Sequence, residues 1–307
     1  MLRVFLLVVV GLAGAPEHGK TFQKWGATFA EAAGRIGVSS ERLAYLVDQP
    51  AGDDTRVTGR ATREDIARAL DGFAKSAGPE DVVFITLIGH GTFDGRTPKF
   101  NLQGPDMTPA DFDALLKKLP TRQIVFVNAA SSSGPFIEVL SGPGRTIVTA
   151  TRSGAEYFTT LFGGYFVDAL TSEAADADKN KRISVLEAFR YAKGEVARAY
   201  EREGLLATEH ALLDDNGDKQ GSPDPMPTAA DGKMAAALSV GSTEAAVPLP
   251  SDPRLRALHL ERRELERRVE SLRLLKESMP PARYETELEA LATALALKTR
   301  EIRAAEP

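Results

Sequence analysis

Two apolar runs end in residues that can carry acid–base and nucleophilic chemistry. Val82 to Ile88 runs into Gly89-His90-Gly91, and Ile124 to Val127 runs into Asn128-Ala129-Ala130-Ser131-Ser132-Ser133-Gly134. A histidine and a small hydroxyl side chain at the tips of successive buried strands are the parts of a base–nucleophile pair, His90 taking the proton of Ser131 and later returning it. Gly89 and Gly91 allow the backbone to approach a substrate carbonyl, which makes the Gly91 amide a candidate oxyanion donor. Ala130 and Ser133 line the same cleft. So does Arg152, in the segment Thr149 to Gly154 after the next strand, either receiving an acidic group or forming a surface ion pair. The chain has no cysteine, so disulfides, thiolate metal sites and thiol nucleophiles are all excluded.

A different chemistry is written in Asp176 to Glu187. Asp176, Asp178, Asn180, Ser184 and Glu187 fall at positions 1, 3, 5, 9 and 12 of an EF-hand loop, with the Arg182 carbonyl at position 7; hard oxygen donors at this spacing suit Ca2+. Lys181 stands where such loops carry glycine, so it pays for a positive φ. A second acidic run, Asp214-Asp215-Asn216-Gly217-Asp218, has no glutamate at the matching place and reads as a solvated loop, the alternatives being a second metal or a loop folded over the cleft with Thr208-Glu209-His210.

A rival motif is Gly14-Ala15-Pro16-Glu17-His18-Gly19-Lys20-Thr21. It fits the phosphate-binding pattern, with Gly14, Gly19, Lys20 and Thr21 as nucleotide-binding candidates after an apolar run and before a helix. Pro16 and Glu17 weigh against it, placing a rigid ring and a negative charge where amides should face phosphate.

The elements that must position these residues alternate. The patterns predict strands over Arg3 to Val10, Arg42 to Val47, Asp81 to Ile88, Arg122 to Val127 and Arg145 to Thr149. They predict helices over Phe22 to Arg35, from the Thr62 cap to Lys75, from the Thr108 cap to Leu119, over Phe158 to Thr171 and over Val185 to Arg202. His210 to Pro227 reads as loop and Met234 to Val240 as a last strand. Such alternation implies a mostly parallel sheet covered on both faces. The domain expectation is an α/β domain over 1–243, a linker over 244–253 and a helical hairpin over 254–305. In the hairpin Leu258, Leu265, Leu272 and Met279 recur every seven residues before Pro280-Pro281, and Tyr284, Leu288, Leu291, Leu295 and Ile302 continue the seam.

The strand tips carry a family resemblance. Ile88-Gly89-His90-Gly91 and Ala130-Ser131-Ser132-Ser133-Gly134 resemble the His-Gly pair and the Ala-Cys-x-Ser-Gly run of the caspase/legumain superfamily of cysteine peptidases, over roughly residues 3 to 240. The resemblance implies a caspase-like three-layer α/β sandwich in which His90 matches the catalytic histidine and Ser131, or Ala130 in the neighbouring register, takes the cysteine's place. It further implies a catalytically impaired homologue that binds peptide or protein in the inherited cleft. An active Ser-His peptidase is the alternative. A serine needs a base oriented by a third group, whereas a thiol beside a histidine ionises readily.

Composition bounds the rest. The 307 residues are 43% hydrophobic and 26% charged, with a net charge of −5. That is globular and offers no large basic surface for nucleic acid. The apolar N-terminal run reads as a first strand rather than a signal peptide, leaving cytoplasmic and exported locations both open; no other segment is long enough to span a membrane. The hairpin is a candidate surface for self-association.

Overall fold

Parallel sheets buried on both faces are built from near-continuous apolar strands, and Val4–Val10 is such a strand. A computed structural model describes residues 3–49, 54–242, 250, 252–274 and 279–305. The chain divides into two units, residues 2–245 and residues 246–307. The first runs β1 (Val4–Val10), α1 (Pro16–Ala32), β2 (Leu43–Val47), β3 (Gly59–Arg60), α2 (Arg63–Ser76), β4 (Val82–Ile88), β5 (Gly91–Phe93), β6 (Pro98–Phe100), α3 (Pro109–Leu116), β7 (Gln123–Asn128), α4 (Phe136–Leu140), β8 (Arg145–Thr149), α5 (Phe162–Ala169), β9 (Arg182–Ser184), α6 (Val185–Glu203), β10 (Leu212–Asp214), α7 (Lys233–Ala237) and β11 (Ser239–Ser242).

Seven strands form one sheet in the order β10-β8-β7-β4-β1-β2-β3. All pairings are parallel except that of β10 with β8. Side chains alternate between two cores. Leu6, Val8 and Val10 of β1 meet Phe22 and Phe29 of α1, Phe162 and Phe166 of α5 and Phe189 of α6. Phe5, Leu7 and Val9 meet Ile66, Leu70 and Phe73 of α2, Phe112 of α3 and Phe136 of α4. Each such side chain contributes about 1.5–3 kcal/mol by leaving water. The result is a mixed α/β, three-layer sandwich with a mostly parallel central sheet, consistent with the expected caspase-like fold.

Local signals place several helix starts. Thr62 accepts from the Asp65 amide, and Thr108 and Asp111 form a capping box with Pro109 in the first turn. Elsewhere the structure differs from the expectations. Helix α1 begins at Pro16, six residues before Phe22, because proline at a helix start forfeits no hydrogen bond. Helix α5 is limited to Phe162–Ala169. The region expected as loop contains β10, a short strand whose polar flanks mask it. The expected last strand is first helical, as α7, and then forms β11, which pairs with β9 rather than with the main sheet. The β5–β6 ribbon was not expected.

The second unit holds α8 (Pro253–Leu274) and α9 (Pro281–Ala305), with Lys298 of α9 2.7 Å from Glu261 of α8. The turn between them, 275–278, lies outside the described residues, as does most of the expected linker (244–249 and 251). Among the described residues no helix is long and apolar enough to cross a membrane.

The helix α1 packs so closely on the sheet that a Cβ at Gly26 would sit 2.4 Å from Val10 Cγ2 and 3.0 Å from the Tyr45 hydroxyl. Gly26→Ala is therefore expected to destabilise by about 1–3 kcal/mol through overpacking, despite the better helix propensity of alanine. Gly72→Ala in α2, where nothing lies within 4 Å of the new Cβ, is expected to stabilise by about 0.5–1 kcal/mol. Urea midpoints of the two variants check this contrast.

Candidate functional site

The chain turns in opposite directions from β1, to β2 on one side and β4 on the other. Open α/β sheets form their binding crevice outside the strand carboxyl ends at such a switch point. Its walls here are the β1–α1 turn, the β4–β5 junction carrying His90, the loop after β7 carrying Ser131, and the segment after β8.

His90 is half-buried and faces the β1–α1 turn. Its ring lies edge-on to His18 (centroids 5.4 Å apart) and Phe22 (5.3 Å), both from α1. Burial pushes its pKa down and the neighbouring His18 adds to this, against the opposing pull of the Ala13 carbonyl. The imidazole is thus held neutral near pH 7. His18 is a crevice residue that sequence reasoning missed, having absorbed it into the phosphate-loop motif; its Nε2 lies 3.5 Å from Thr159 Oγ1.

Ser131 faces a different partner. Its Oγ donates to the Gly91 carbonyl (3.1 Å) and accepts from the Gly91 amide (3.2 Å), and the residue is 2% exposed. A Cβ at Gly91 would lie 2.3 Å from the Ser131 carbonyl oxygen, so the strand tips interlock only because that residue is glycine. Among the described residues no hydrogen bond joins the His90 ring to Ser131 Oγ. The Gly91 amide expected as an oxyanion donor is spent on Ser131. Gly89 joins β4 to His90, and Ala130 is fully buried in the core with Phe126 and Phe136, so Ser131 rather than Ala130 reaches the neighbouring tip.

The rest of the loop is equally committed. Ser132, at φ +53°, donates through Oγ to the Gly154 carbonyl (2.9 Å) and through its amide to the Glu156 carbonyl (2.8 Å). Ser133 Oγ pairs with Thr151 Oγ1 at 3.1 Å. Arg152 Nε lies 3.1 Å from Glu156 Oε1, and His210 Nδ1 lies 2.6 Å from the same oxygen. The adjoining Glu209 carboxylate accepts from the Leu161 and Phe162 amides at the start of α5; burial raises its pKa while those amides oppose the rise. Glu156 escaped sequence reasoning because its partner His210 lies far along the chain.

The phosphate-loop reading is corrected. Helix α1 already runs through Gly19, whose amide donates to the Ala15 carbonyl (3.1 Å), and Thr21 Oγ1 donates to the Glu17 carbonyl. Gly14 turns at φ +71° beside the His90 ring, while Lys20 lies within the helix. The Gly19 amide, which would have to face phosphate, is instead used inside the helix.

Away from the crevice, one oxygen each of Asp176, Asp178 and Glu187 lie within 4.8 Å of one another. Asn180 donates to Asp176 and Asp178, the Arg182 amide donates to Asn180 Oδ1, and Ser184 and Glu187 form the capping box of α6. Lys181 takes φ +67°, the strained value that a glycine position demands.

Replacing Ser131 by alanine removes both bonds to Gly91 and is expected to cost about 1–3 kcal/mol, read as a lower urea midpoint. His90 has a lower pKa folded than unfolded. Protonation therefore favours the unfolded chain, and stability is lost as pH falls through the unfolded value of about 6.5 towards the lower native one. His90→Asn is expected to flatten this loss, measured as the difference in urea midpoint between about pH 7.5 and about pH 5.5.

Residues 64–212, from α2 through β10 and including both strand tips, match the model of the Peptidase C13 family. No curated protein matches the chain. The α/β unit is thus similar over residues 64–212 to the Peptidase C13 family, which is legumain/caspase-like.

Proposed function

We propose that this chain is a catalytically impaired peptidase homologue that binds peptide or protein in the crevice between β1 and β4. The observation that carries this reading is the buried Ser131 hydroxyl, engaged in both directions by Gly91 while His90 turns to the β1–α1 turn. A nucleophile must reach substrate and must be within hydrogen-bond reach of its base; Ser131 meets neither condition. Binding is supported by aromatic side chains on the loops beyond the strand tips. Phe93 is 36%, Tyr157 66% and Phe158 55% exposed. Phe93 lies against Gly154, and the Tyr157 and Phe158 rings lie tilted with their centroids 4.6 Å apart. Exposed aromatics grouped in this way are the anchors that peptide interfaces use.

A fluorophosphonate probe is expected to leave Ser131 unlabelled, and labelling there would establish the active Ser-His alternative instead. Ser131→Cys is expected to stay inactive on peptide substrates, since burial and the orientation of His90 persist; appreciable hydrolysis would mean that only the nucleophile was lacking. On a random peptide array, Tyr157→Ser/Phe158→Ser and His90→Trp are each expected to reduce binding at least about tenfold; unchanged binding would place the peptide site elsewhere.

The carboxylates gathered in the 176–187 loop favour a second reading, a structural Ca2+ site. Calorimetric Ca2+ titration is expected to weaken at least about tenfold in Glu187→Gln, a change that keeps a capping residue for α6 while removing a charge.

A further inference from the structure

The run at Asp214 to Ser222, which sequence alone reads as a solvated loop with a second metal as an alternative, repeats the oxygen-bearing places and turns of the 176–184 loop. Oxygen-bearing side chains stand at the first, third and fifth places in both: Asp176, Asp178 and Asn180 in one, Asp214, Asn216 and Asp218 in the other. The fourth and sixth places are left-handed in both, Lys179 (+58°) and Lys181 (+67°) against Gly217 (+83°) and Lys219 (+69°). The fifth amide donates to the third side chain, from Asn180 to Asp178 (3.1 Å) and from Asp218 to Asn216 (2.7 Å). The seventh donates to the fifth, from Arg182 to Asn180 (2.7 Å) and from Gln220 to Asp218 (2.8 Å).

The second loop has no acid at the twelfth place, but an acid arrives from elsewhere. In the first loop Glu187 Oε1 accepts the second-place amide, that of Ala177, at 3.0 Å. In the second loop Asp231 Oδ1 accepts the second-place amide, that of Asp215, at 3.1 Å. Asp231 thus accepts the amide at the same place as Glu187 does, delivered by a later segment of the chain. Its carboxylate and those of Asp214 and Asp218 are not gathered within 4.8 Å as the three of the first loop are, so an ion would have to draw them together.

An independent observation points to a cation. Asp214 is fully buried; its Oδ1 accepts from the Gly217 amide, but its Oδ2 has no partner. A buried carboxylate oxygen without a donor is costly unless a cation or proton completes it. Asp231 is 5% exposed, and its Oδ1 accepts from the Asp215 amide. Asp215 itself is satisfied by the Gly232 and Ala235 amides. Among the described residues no lysine or arginine forms an ion pair with Asp214, Asp218 or Asp231.

We propose that residues 214–222 form a second divalent-cation loop, in which Asp214, Asn216, Asp218, the Gln220 carbonyl and Asp231 hold Ca2+. Three carboxylates, an amide oxygen and a carbonyl in a flexible loop suit Ca2+ better than the smaller Mg2+. Bound there, the ion ties the end of β10 to the segment before α7, and so steadies the strand that follows Glu209 and His210.

The test is calorimetric Ca2+ titration and thermal unfolding of the full chain, wild type against Asp231→Asn, Asp214→Asn and Glu187→Gln. Wild type is expected to bind two ions and each variant one. In chelator, Asp231→Asn is expected to unfold at or above the wild-type temperature, since it relieves repulsion, yet to lose part of the Ca2+-induced rise. Binding lost in Glu187→Gln but unchanged in Asp231→Asn and Asp214→Asn would overturn the second loop and leave the first. Loss in the two aspartate variants but not in Glu187→Gln would keep the second loop and remove the first. No binding by wild type overturns both.

Discussion

The crevice is organised by one reciprocal interaction, in which the Ser131 hydroxyl donates to the Gly91 carbonyl and accepts the Gly91 amide. A hydroxyl has one proton and two lone pairs, so a single side chain can satisfy both backbone groups of one residue. Each bond contributes about 1 kcal/mol, and more is at stake in leaving buried backbone groups unpaired. The lock requires that Gly91 have no side chain, because the Ser131 carbonyl fills that space. With the tips of β4 and β7 joined in this way, the hydroxyl and the amide that acyl transfer would use are both engaged in holding the sheet edge together.

The surroundings of the lock follow the same pattern. Ser132, Ser133 and Thr151 send their hydroxyls to neighbouring loop groups, and Glu156 gathers Arg152 and His210 around one carboxylate. Small polar residues buried at strand ends must find partners locally, and here they stitch the loop after β7 to the segment after β8. His90 stays apart from this network, in an aromatic corner that keeps it neutral. The likeness to the Peptidase C13 family therefore lies in the scaffold and in the placing of the tips. Within the tips, the Ser131 hydroxyl and the Gly91 amide bond to each other.

Acidic loops are the second organising element of the α/β unit. Both turn through left-handed lysines, which L-residues adopt only where the surrounding bonds over-determine the backbone. The side-chain-to-amide ladders in each loop supply that determination. One loop leads into β9 and the capped start of α6, the other leaves β10 and is closed against the start of α7, so each carries a strand–helix junction of the sandwich.

Much of the architecture was legible in the sequence because it depends on local signals. The two-faced burial of Val4–Val10 and Val82–Ile88 follows from uninterrupted apolar runs, and the starts of α2 and α3 follow from Thr62 and Thr108. The strand ends bearing His90 and Ser131 were equally plain. Short β10, the β5–β6 ribbon and the early start of α1 were not, since too few residues carry a period there. By itself the sequence determined the layered fold, the tips of its strands and the acidic run of the 176–187 loop. Only the tertiary structure decided that Ser131 bonds to Gly91 instead of His90, that His18 and Phe22 enclose the histidine, and that Asp231 closes the second acidic loop. Each of these depends on residues distant in the chain, forty positions apart for Ser131 and Gly91, and such contacts are set by how the strands and helices pack rather than by any local pattern.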